Sequence, residues 1–559
     1  MRVKHCGGET RPLALGPWLS ALVISLLVTS SIVFEGETAT VATDAGLKIW
    51  VARPTVAVRL DAGPPAEPVK DIDWAAARQE SEHAQICLRS DVALSGLRVL
   101  FDDLRGPQGM IARENLAWRQ VGYVDCKPMP EDYGEWLRYE AEPGWWPDPL
   151  LEVEDFDLEP AVTQPIWLTV RVPAGAAAGT YEGKAQVVSD AGQTATIPIK
   201  LQVWPIDLPN PGRFDTVFSF YYPFENGPSW QDVMAKIYGE FTPELKRAYF
   251  EFLGEHRIPA DHLYLERGPR PFADYGQLLE CGGKRFNLIY AADKVEGITE
   301  MLDRITPTVE GLEQRGLLEH AYVYGFDEHE RTSEPVIREV FGAVKQRWPD
   351  MHTMAVLNWE PPVELPIDTW VVLYDRHDPE AAARWRAAGK EYWWYHCCGP
   401  IDPHMNTFVE WPRINGRLMM WLAAREQVSG WLYYTVNNWE GERHVVMREG
   451  KGPRTDFDPA TWQHDNGDGN FIYPGPRGPL SSTRLENLTD GIEDWELFAQ
   501  LRDAALRSGR SDPVPDLAAR LVRSSSDRTA DPALLELTRR EAAGMLVELN
   551  RQEQSQERQ

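Results

Sequence analysis

Cysteine is scarce, six in 559 residues. Beyond Cys6 there remain Cys87, Cys126, Cys281, Cys397 and Cys398. Five is an odd number, which leaves at least one thiol free or bridged to another molecule, and no disulfide framework is expected. The vicinal pair Cys397–Cys398 is not expected to close on itself, and no spacing is that of a zinc site. Basic residues are outnumbered, 57 Lys and Arg against 85 Asp and Glu, for a net charge of -28. That balance argues against nucleic acid or an anionic membrane surface as a partner, and makes a polyanionic substrate less favourable. Long apolar runs are missing apart from one. Leu19 to Val33 is mostly apolar but only 15 residues long, short for a spanning helix, with Arg2, Lys4, His5 and Arg11 before it and the small stretch Ala39-Thr-Val-Ala42 after it. Residues 1–42 therefore read as a signal peptide or an uncleaved N-terminal anchor, and the protein is expected to be exported: periplasmic, secreted or on the cell surface. Cys6 precedes the apolar run and is not placed for lipid attachment. No phosphate loop, nucleophilic serine motif or metal-ligand cluster occurs, and neither cofactor nor metal is expected. Asp465-Asn-Gly-Asp-Gly-Asn470 lacks the spacing of a calcium loop and reads as a glycine-rich surface loop.

What is present is globular: 43% hydrophobic and 25% charged residues, with 43 Gly and 43 Pro, which suits strands joined by many loops. Tryptophan is abundant, 22 against 18 Phe. A flat apolar face with one donor suits the C–H face of a sugar ring, although a large protein also buries tryptophan for packing alone.

Two patterns divide the chain. Residues 46–208 alternate with period two, as in Leu47-Lys-Ile-Trp-Val-Ala52, Ile166-Trp-Leu-Thr-Val-Arg-Val172 and Ala195-Thr-Ile-Pro-Ile-Lys-Leu-Gln-Val-Trp204, with a turn at Gly179-Thr-Tyr-Glu-Gly183. Short strands at this spacing predict a β-sandwich. After the proline-rich link Leu208-Pro-Asn-Pro211, strands alternate with amphipathic helices over 213–481. The strands are expected to end near Tyr222, Glu266, Ala291, Glu328, Leu357, Tyr374, Cys397 and Trp439, which makes eight and predicts an irregular (β/α)8 barrel. Helices are expected after Thr242, with Pro243 first and Leu245, Tyr249, Phe252 and Leu253 inward; after Asp293, with Val295, Ile298, Leu302 and Ile305 inward; and after Ser333, with Val336, Ile337, Val340, Phe341 and Val344 inward. Residues 267–284 show no clear helix and 358–368 are too few for one. From 482 to 552 the chain is helical, with Ile492, Trp495, Leu497, Phe498 and Leu501 as one apolar face, and Arg551 to Gln559 frayed. The fold class is thus multidomain: a β-sandwich, an α/β barrel and a C-terminal helical extension.

Two carboxylates, Asp327-Glu328, close the apolar run Ala321-Tyr-Val-Tyr-Gly-Phe326. At the C-terminal end of a barrel strand such a pair reads as catalytic; at the N-terminus of a helix the same two residues complement the helix dipole. The other strand ends offer Tyr221 and Tyr222, Glu266, Asn358 and Trp359, Asp375, Tyr395 and His396, and Tyr433, Tyr434, Asn437, Asn438 and Trp439. Carboxylates, amides and aromatic rings are the groups that recognise sugar hydroxyls and ring faces. Tyr324, in the strand before the acidic pair, and Trp431, in the last strand, complete the candidate binding set. Asn437 and Asn438 are turn formers as well as hydroxyl binders, a histidine placed like His396 is more often structural than catalytic, and the polar cluster Arg484, Glu486, Asp490, Glu493 and Asp494 reads as helix packing and salt bridges.

These motifs, in this order, resemble glycoside hydrolase family 123. The resemblance covers most of the chain after the N-terminal segment. It rests on Gln164-Pro-Ile-Trp-Leu-Thr-Val170, Val172-Pro, Gly179-Thr-Tyr-Glu-Gly183, Tyr324-Gly-Phe-Asp-Glu328, Trp431-Leu-Tyr-Tyr434, Asn437-Asn-Trp439, Gly467-Asp-Gly469, Tyr473-Pro-Gly475 and Arg484-Leu-Glu-Asn-Leu-Thr-Asp-Gly-Ile-Glu-Asp494. Where the family often has proline after the acidic pair, this chain has His329. The resemblance implies a retaining β-N-acetylhexosaminidase, N-acetylgalactosamine favoured, acting on a glycan. The substrate's own acetamido oxygen would attack C1, with Glu328 as general acid and then base. Asp327 would orient the acetamide N–H and stabilise the oxazolinium. Adjacent side chains of an ideal strand point to opposite faces, so the pair is expected where the backbone leaves the pleat. Two other readings stand beside it. One is a two-carboxylate glycosidase on a sugar without the acetamide, with Glu266, Glu360 or Asp375 as the second group. The other is a non-catalytic glycan-binding surface protein.

Overall fold

The computed structural model describes residues 46–128, 142–192, 194–224, 233–439, 453–460 and 465–557. Residues 1–42, expected from the sequence to be a signal peptide or anchor, lie outside the described residues. Among the described residues no helix is long and apolar enough to cross a membrane.

Two sheets form the N-terminal part. One pairs Lys48–Ala52, Ser81–Arg89, Thr163–Arg171, Leu116–Cys126 and Gly144–Leu151 in that order, all antiparallel. In the other, Ile72–Arg78 runs parallel to Thr194–Asp207, and antiparallel pairings continue through Gly179–Val188, Leu94–Phe101 and Phe156–Leu158. The period-two pattern puts Ile86, Leu88, Ile166, Leu168, Ile197, Ile199 and Leu201 into one core between them.

Eight parallel strands follow: β1 (Asp215–Ser219), β2 (Ala260–Asp261), β3 (Phe286–Tyr290), β4 (Ala321–Gly325), β5 (His352–Val356), β6 (Thr369–Leu373), β7 (Glu391–His396) and β8 (Gly430–Tyr433). They neighbour one another as β2-β1-β8-β7-β6-β5-β4-β3, so the ladder is open between β2 and β3. Side chains close that seam. Asn287 Nδ2 donates to the carbonyls of His262 (3.0 Å) and Leu263 (2.7 Å), while its Oδ1 accepts from Ile289 N and Tyr324 N, each at 3.2 Å. Asp261 accepts from Tyr322 Oη and Arg270 Nη2, both at 2.6 Å. These side-chain bonds stand in for the missing ladder bonds between β2 and β3. Val217, Leu263, Tyr322, Met354, Val371, Trp393 and Leu432 fill the interior.

Three expectations for the helices need correcting. The link 267–284 does contain a helix, Phe272–Glu280; only Asp274, Tyr275 and Leu278 are buried on it, too short a stripe to register as a period. The helix after Asp293 begins at Ile298, following a 3-10 turn, and leaves Val295 exposed. The C-terminal helix runs to Glu557 instead of fraying at Arg551, held by Arg507 on Glu553 (3.1 Å) and Arg510 on Gln552 (2.8 Å). The Thr242 cap is present, its Oγ1 accepting from Leu245 N at 3.2 Å.

Three helices tie the parts together: α1 (Ile414–Arg425), α2 (Thr483–Arg507) and α3 (Pro532–Glu557). The sequence gives α2 one apolar face; the structure buries it on all sides from Thr483 to Ala499, because sandwich, barrel and α3 surround it. Its polar residues are buried by pairing. Arg417 of α1 reaches Asp494 (2.6 Å) and Asp490 (3.1 Å), and Arg539 of α3 reaches Asp494 (2.5 Å) and Glu80 of the sandwich. Arg257 reaches Glu493 (3.1 Å), and Arg484 reaches Asp148 of the sandwich (2.8 Å). His83 lies 3.3 Å from both Glu486 and Asp490.

This network makes stability fall with rising pH. Burial alone would lower His83, but the Asp490 and Glu486 carboxylates outweigh it and push it up to about 9. Its contribution is whole below the unfolded value of about 6.5 and is lost as pH climbs through 9. Burial also pushes Glu82 up to about 7, against Arg539 and Arg417. The fold thus holds a proton there that the unfolded chain releases, a second loss between about 4.5 and 7. The thermal midpoint, followed by circular dichroism, is expected to drop from pH 6.5 to pH 9.5; a flat or rising midpoint would contradict the assignment.

Candidate active site

The acidic pair sits where β4 stops being a strand. Phe326 and Glu328 both have left-handed backbone, φ 56° and 57°. A non-glycine residue in that region costs about 1–3 kcal/mol. Packing and bonding hold it: Phe326 packs edge-on against Phe341 at 5.2 Å, and Glu328 N donates to Val356 O of β5 at 2.9 Å. Gly325 lets β4 approach the chain after β3, since a Cβ there would meet Ala291 Cβ at 2.5 Å. The departure from the pleat expected at Asp327-Glu328 is therefore present, and it brings both carboxylates to the barrel mouth.

Each carboxylate has its own hydroxyl. Asp327 Oδ2 accepts from Tyr264 Oη, just beyond β2, at 2.9 Å, and Asp327 N donates to Tyr290 Oη of β3 at 3.3 Å. Tyr264, Tyr290 and Tyr324 form a ring cluster beneath Asp327, with centroids 5.7–6.2 Å apart. Burial raises the Asp327 carboxyl above its ordinary range, opposed by the Tyr264 and Tyr324 hydroxyls and assisted by the neighbouring Glu328 charge. Glu328 is the exposed member of the pair. Its Oε1 accepts from Tyr395 Oη of β7, and Asn358 Nδ2 donates to that same tyrosine oxygen at 2.8 Å.

The loop after the pair is fixed by side chains. Trp359 Nε1 donates to His329 O (2.9 Å), and His329 Nδ1 lies 3.2 Å from Ser333 Oγ. Trp359 is half-buried, with Arg331 over its ring at 5.7 Å. Asp375 occupies the 3-10 turn after β6, half-buried, and burial raises its carboxyl. Of the other carboxylates weighed, Glu360 is engaged by Arg384 at 2.8 Å and Glu266 is exposed beyond β2.

Several expected binding residues lie elsewhere. Trp431, Tyr433 and Trp439 are fully buried in the layer between strands and helices. Trp431 Nε1 donates to His396 Nδ1 (2.9 Å), so His396 donates through Nε2 to Thr407 Oγ1 (3.0 Å). Burial lowers His396 to about 3, which leaves it neutral. Asn437 clamps Tyr221, accepting from its N and donating to its O, both at 2.8 Å. These side chains are on the outward face of the barrel wall, and the structure does not bring them to the pair. Tyr434 and Asn438 remain half-exposed at the end of β8.

Asp468 was missed. The segment 465–470, read from sequence as a surface loop, is buried throughout. Asp468 accepts from Tyr433 (3.2 Å) and Tyr434 (3.0 Å), and burial pushes it up to about 7. Gly469, at φ 66°, leaves room for the Tyr434 hydroxyl, which a Cβ would meet at 2.2 Å. Tyr264 and Tyr290 were also missed, although both stand at strand ends where the same rule applied. Among the described residues no cluster of His, Cys, Asp or Glu could hold a metal ion.

A barrel whose mouth carries paired carboxylates, amides and tyrosines is suited to glycoside hydrolysis, and the glycoside hydrolase class follows from the family profiles. Profiles for the glycoside hydrolase 123 catalytic domain and the glycoside hydrolase 123 N-terminal domain match residues 280–501 and 62–189. The chain belongs to glycoside hydrolase family 123. Among solved structures it is similar to a family 123 glycoside hydrolase from Clostridium perfringens, described for glycolipid glycan hydrolysis. The identity is 14% and the TM-score 0.67, over 90% of this chain and 98% of that one. A family 39 glycoside hydrolase from Bacteroides cellulosilyticus matches at 11% identity and a TM-score of 0.30, over 67% and 77% of the two chains. No curated protein matches the chain.

Proposed function

We propose that this enzyme removes terminal β-linked N-acetylhexosamine, N-acetylgalactosamine first among them, with retention of configuration and through an oxazolinium formed by the substrate's own acetamido group. The observation that carries the reading is the left-handed break at Phe326 and Glu328, which presents two sequence-adjacent carboxylates together at the barrel mouth. Sequence-adjacent carboxylates suit substrate assistance, in which the acetamido group takes the place of an enzyme nucleophile and the usual separated pair is not needed. Asp327 is suited to the acetamide. Its burial penalises a lone negative charge, and a positive charge developing on the oxazolinium would relieve that penalty, so the interaction strengthens on the way to the transition state. Glu328, exposed at the barrel mouth, would give its proton to the leaving oxygen and then take one from water. The C. perfringens relative supports a glycan substrate carried on lipid. Export, supported by the apolar stretch Leu19–Val33, belongs to the same proposal.

A thiazoline analogue of the oxazoline is expected to inhibit competitively, binding at least about 10²-fold tighter than substrate, as an intermediate mimic should. Steady-state inhibition with an aryl β-N-acetylgalactosaminide measures this. Turnover of that substrate with no thiazoline effect would turn the reading toward a protein-borne nucleophile.

A further inference from the structure

We infer that Asn358 is a positioning residue that fixes the direction of the Tyr395 hydroxyl, and through it assigns the transferable proton of Glu328 to one carboxylate oxygen. The inference deepens the proposed function and rests on it. Its argument is the direction of a hydrogen-bond chain. Leu373 N–H, a donor only, points at Asn358 Oδ1 from 3.0 Å. The orientation of the amide is therefore set by the backbone of β6, and its NH2 must face Tyr395 Oη at 2.8 Å. An amide NH2 cannot accept. The tyrosine oxygen accepts there, and its single proton is left for Glu328 Oε1. The Tyr395 ring is packed in the barrel interior with Val371 and Trp393, which holds the oxygen in place.

With Oε1 occupied as an acceptor, the proton that Glu328 gives up resides on Oε2. In the first half-reaction the Oε2–H bond breaks as the leaving glycosidic oxygen gains the proton. In the second, Oε2 takes a proton from the water whose oxygen bonds to C1 as the oxazolinium ring opens. Protons balance over the cycle, and Tyr395 neither gains nor loses one. The other titratable groups facing this chain are Asp327 and His329 on Glu328's own segment, Tyr264 and Tyr324 around Asp327, and Cys397 beside Tyr395 on β7. Burial raises the Tyr395 hydroxyl, and contact with Cys398 and burial raise the Cys397 thiol, so both remain protonated at neutral pH.

Asn358→Asp tests the direction. The new carboxylate can still accept from Leu373 N–H, but it also accepts from Tyr395 and draws the hydroxyl proton away from Glu328. On a β-N-acetylgalactosaminyl disaccharide, whose leaving alcohol needs the proton, kcat is expected to fall about 10- to 100-fold with KM little changed, the range set by hydrogen bonds to charged groups. The deficit should deepen as pH rises through the carboxylate range. Asn358→Ala, which removes the donor without adding an acceptor, should cost less and show no such pH dependence. In a Tyr395→Phe background Asn358→Asp should add almost nothing, because Asn358 acts through Tyr395. Equal losses for Asp and Ala at every pH, or effects that add to Tyr395→Phe, would overturn the inference. If the unsubstituted enzyme turns over no N-acetylhexosaminide, the proposed function fails instead. A crystal structure of Asn358→Asp then decides: Tyr395 Oη must leave Glu328 for the new carboxylate, and an unchanged contact with Glu328 refutes the chain.

Discussion

Glu328→Gln is expected to lower kcat/KM by about 10²–10⁴-fold, the range supplied by a positioned general acid–base. Glutamine keeps the shape and can still accept from Tyr395 through its carbonyl, but it has no proton to give the leaving oxygen and no basic form for water. Glu328 is exposed, so the change should move stability by no more than about 0.5 kcal/mol, and the loss is one of chemistry. The deficit should grow with the basicity of the leaving group: modest for a nitrophenolate, which departs without protonation, and largest for a sugar alcohol. Asp327→Asn should be nearly as damaging, because the oxazolinium then faces a neutral amide in a buried site. Steady-state kinetics on paired aryl and disaccharide substrates measure both. Full activity of Glu328→Gln on the disaccharide would remove Glu328 from the chemistry.

Arg539→Met is expected to destabilise the fold by about 3–5 kcal/mol, the cost of leaving a buried charge unpaired. Arg539 is buried and joins Asp494 of α2 to Glu80 of the sandwich, with Glu82 at 2.7 Å. Its removal leaves three buried carboxylates short of a cation, with Arg417 the remaining charged partner of Asp494 and Trp421 Nε1 still donating to it at 2.7 Å. Protonation can relieve part of this, so the loss should be smaller at low pH than at pH 8, the same sign as the His83 and Glu82 effects. Chemical denaturation at two pH values measures it, and an unchanged midpoint at pH 8 would show the network to be dispensable.

The parts legible in the sequence were those written in local period and position. The eight strands could be read as apolar runs, although β2 and β8 end at Asp261 and Tyr433, short of the Glu266 and Trp439 expected, and Asp327-Glu328 could be read because a charged pair closes such a run. Trp431, Tyr433 and His396 could not be assigned. Period-two alternation says that neighbours face opposite ways, but not which set faces the axis, and β7 and β8 carry aromatics on both sides. Glu486, Asp490, Glu493 and Asp494 are legible as salt-bridge and packing residues, but the burial of α2 on all sides was hidden because their partners Arg257, Arg417, Arg539 and His83 arrive from distant segments. Asn287 closing the barrel seam and Asp468 beneath Tyr434 are contacts of the same non-local kind, visible only once the strands are side by side.

The central claim is substrate-assisted cleavage of an N-acetylhexosaminide by Asp327 and Glu328. The most direct measurement is release of aglycone from aryl β-glycosides of N-acetylgalactosamine, N-acetylglucosamine, galactose and glucose by the purified protein and by Glu328→Gln. The account predicts release from an N-acetylhexosaminide alone, reduced in the variant for these activated aryl leaving groups and lost on the corresponding disaccharide. Release from plain galactoside or glucoside, which have no acetamido group to attack C1, would contradict it.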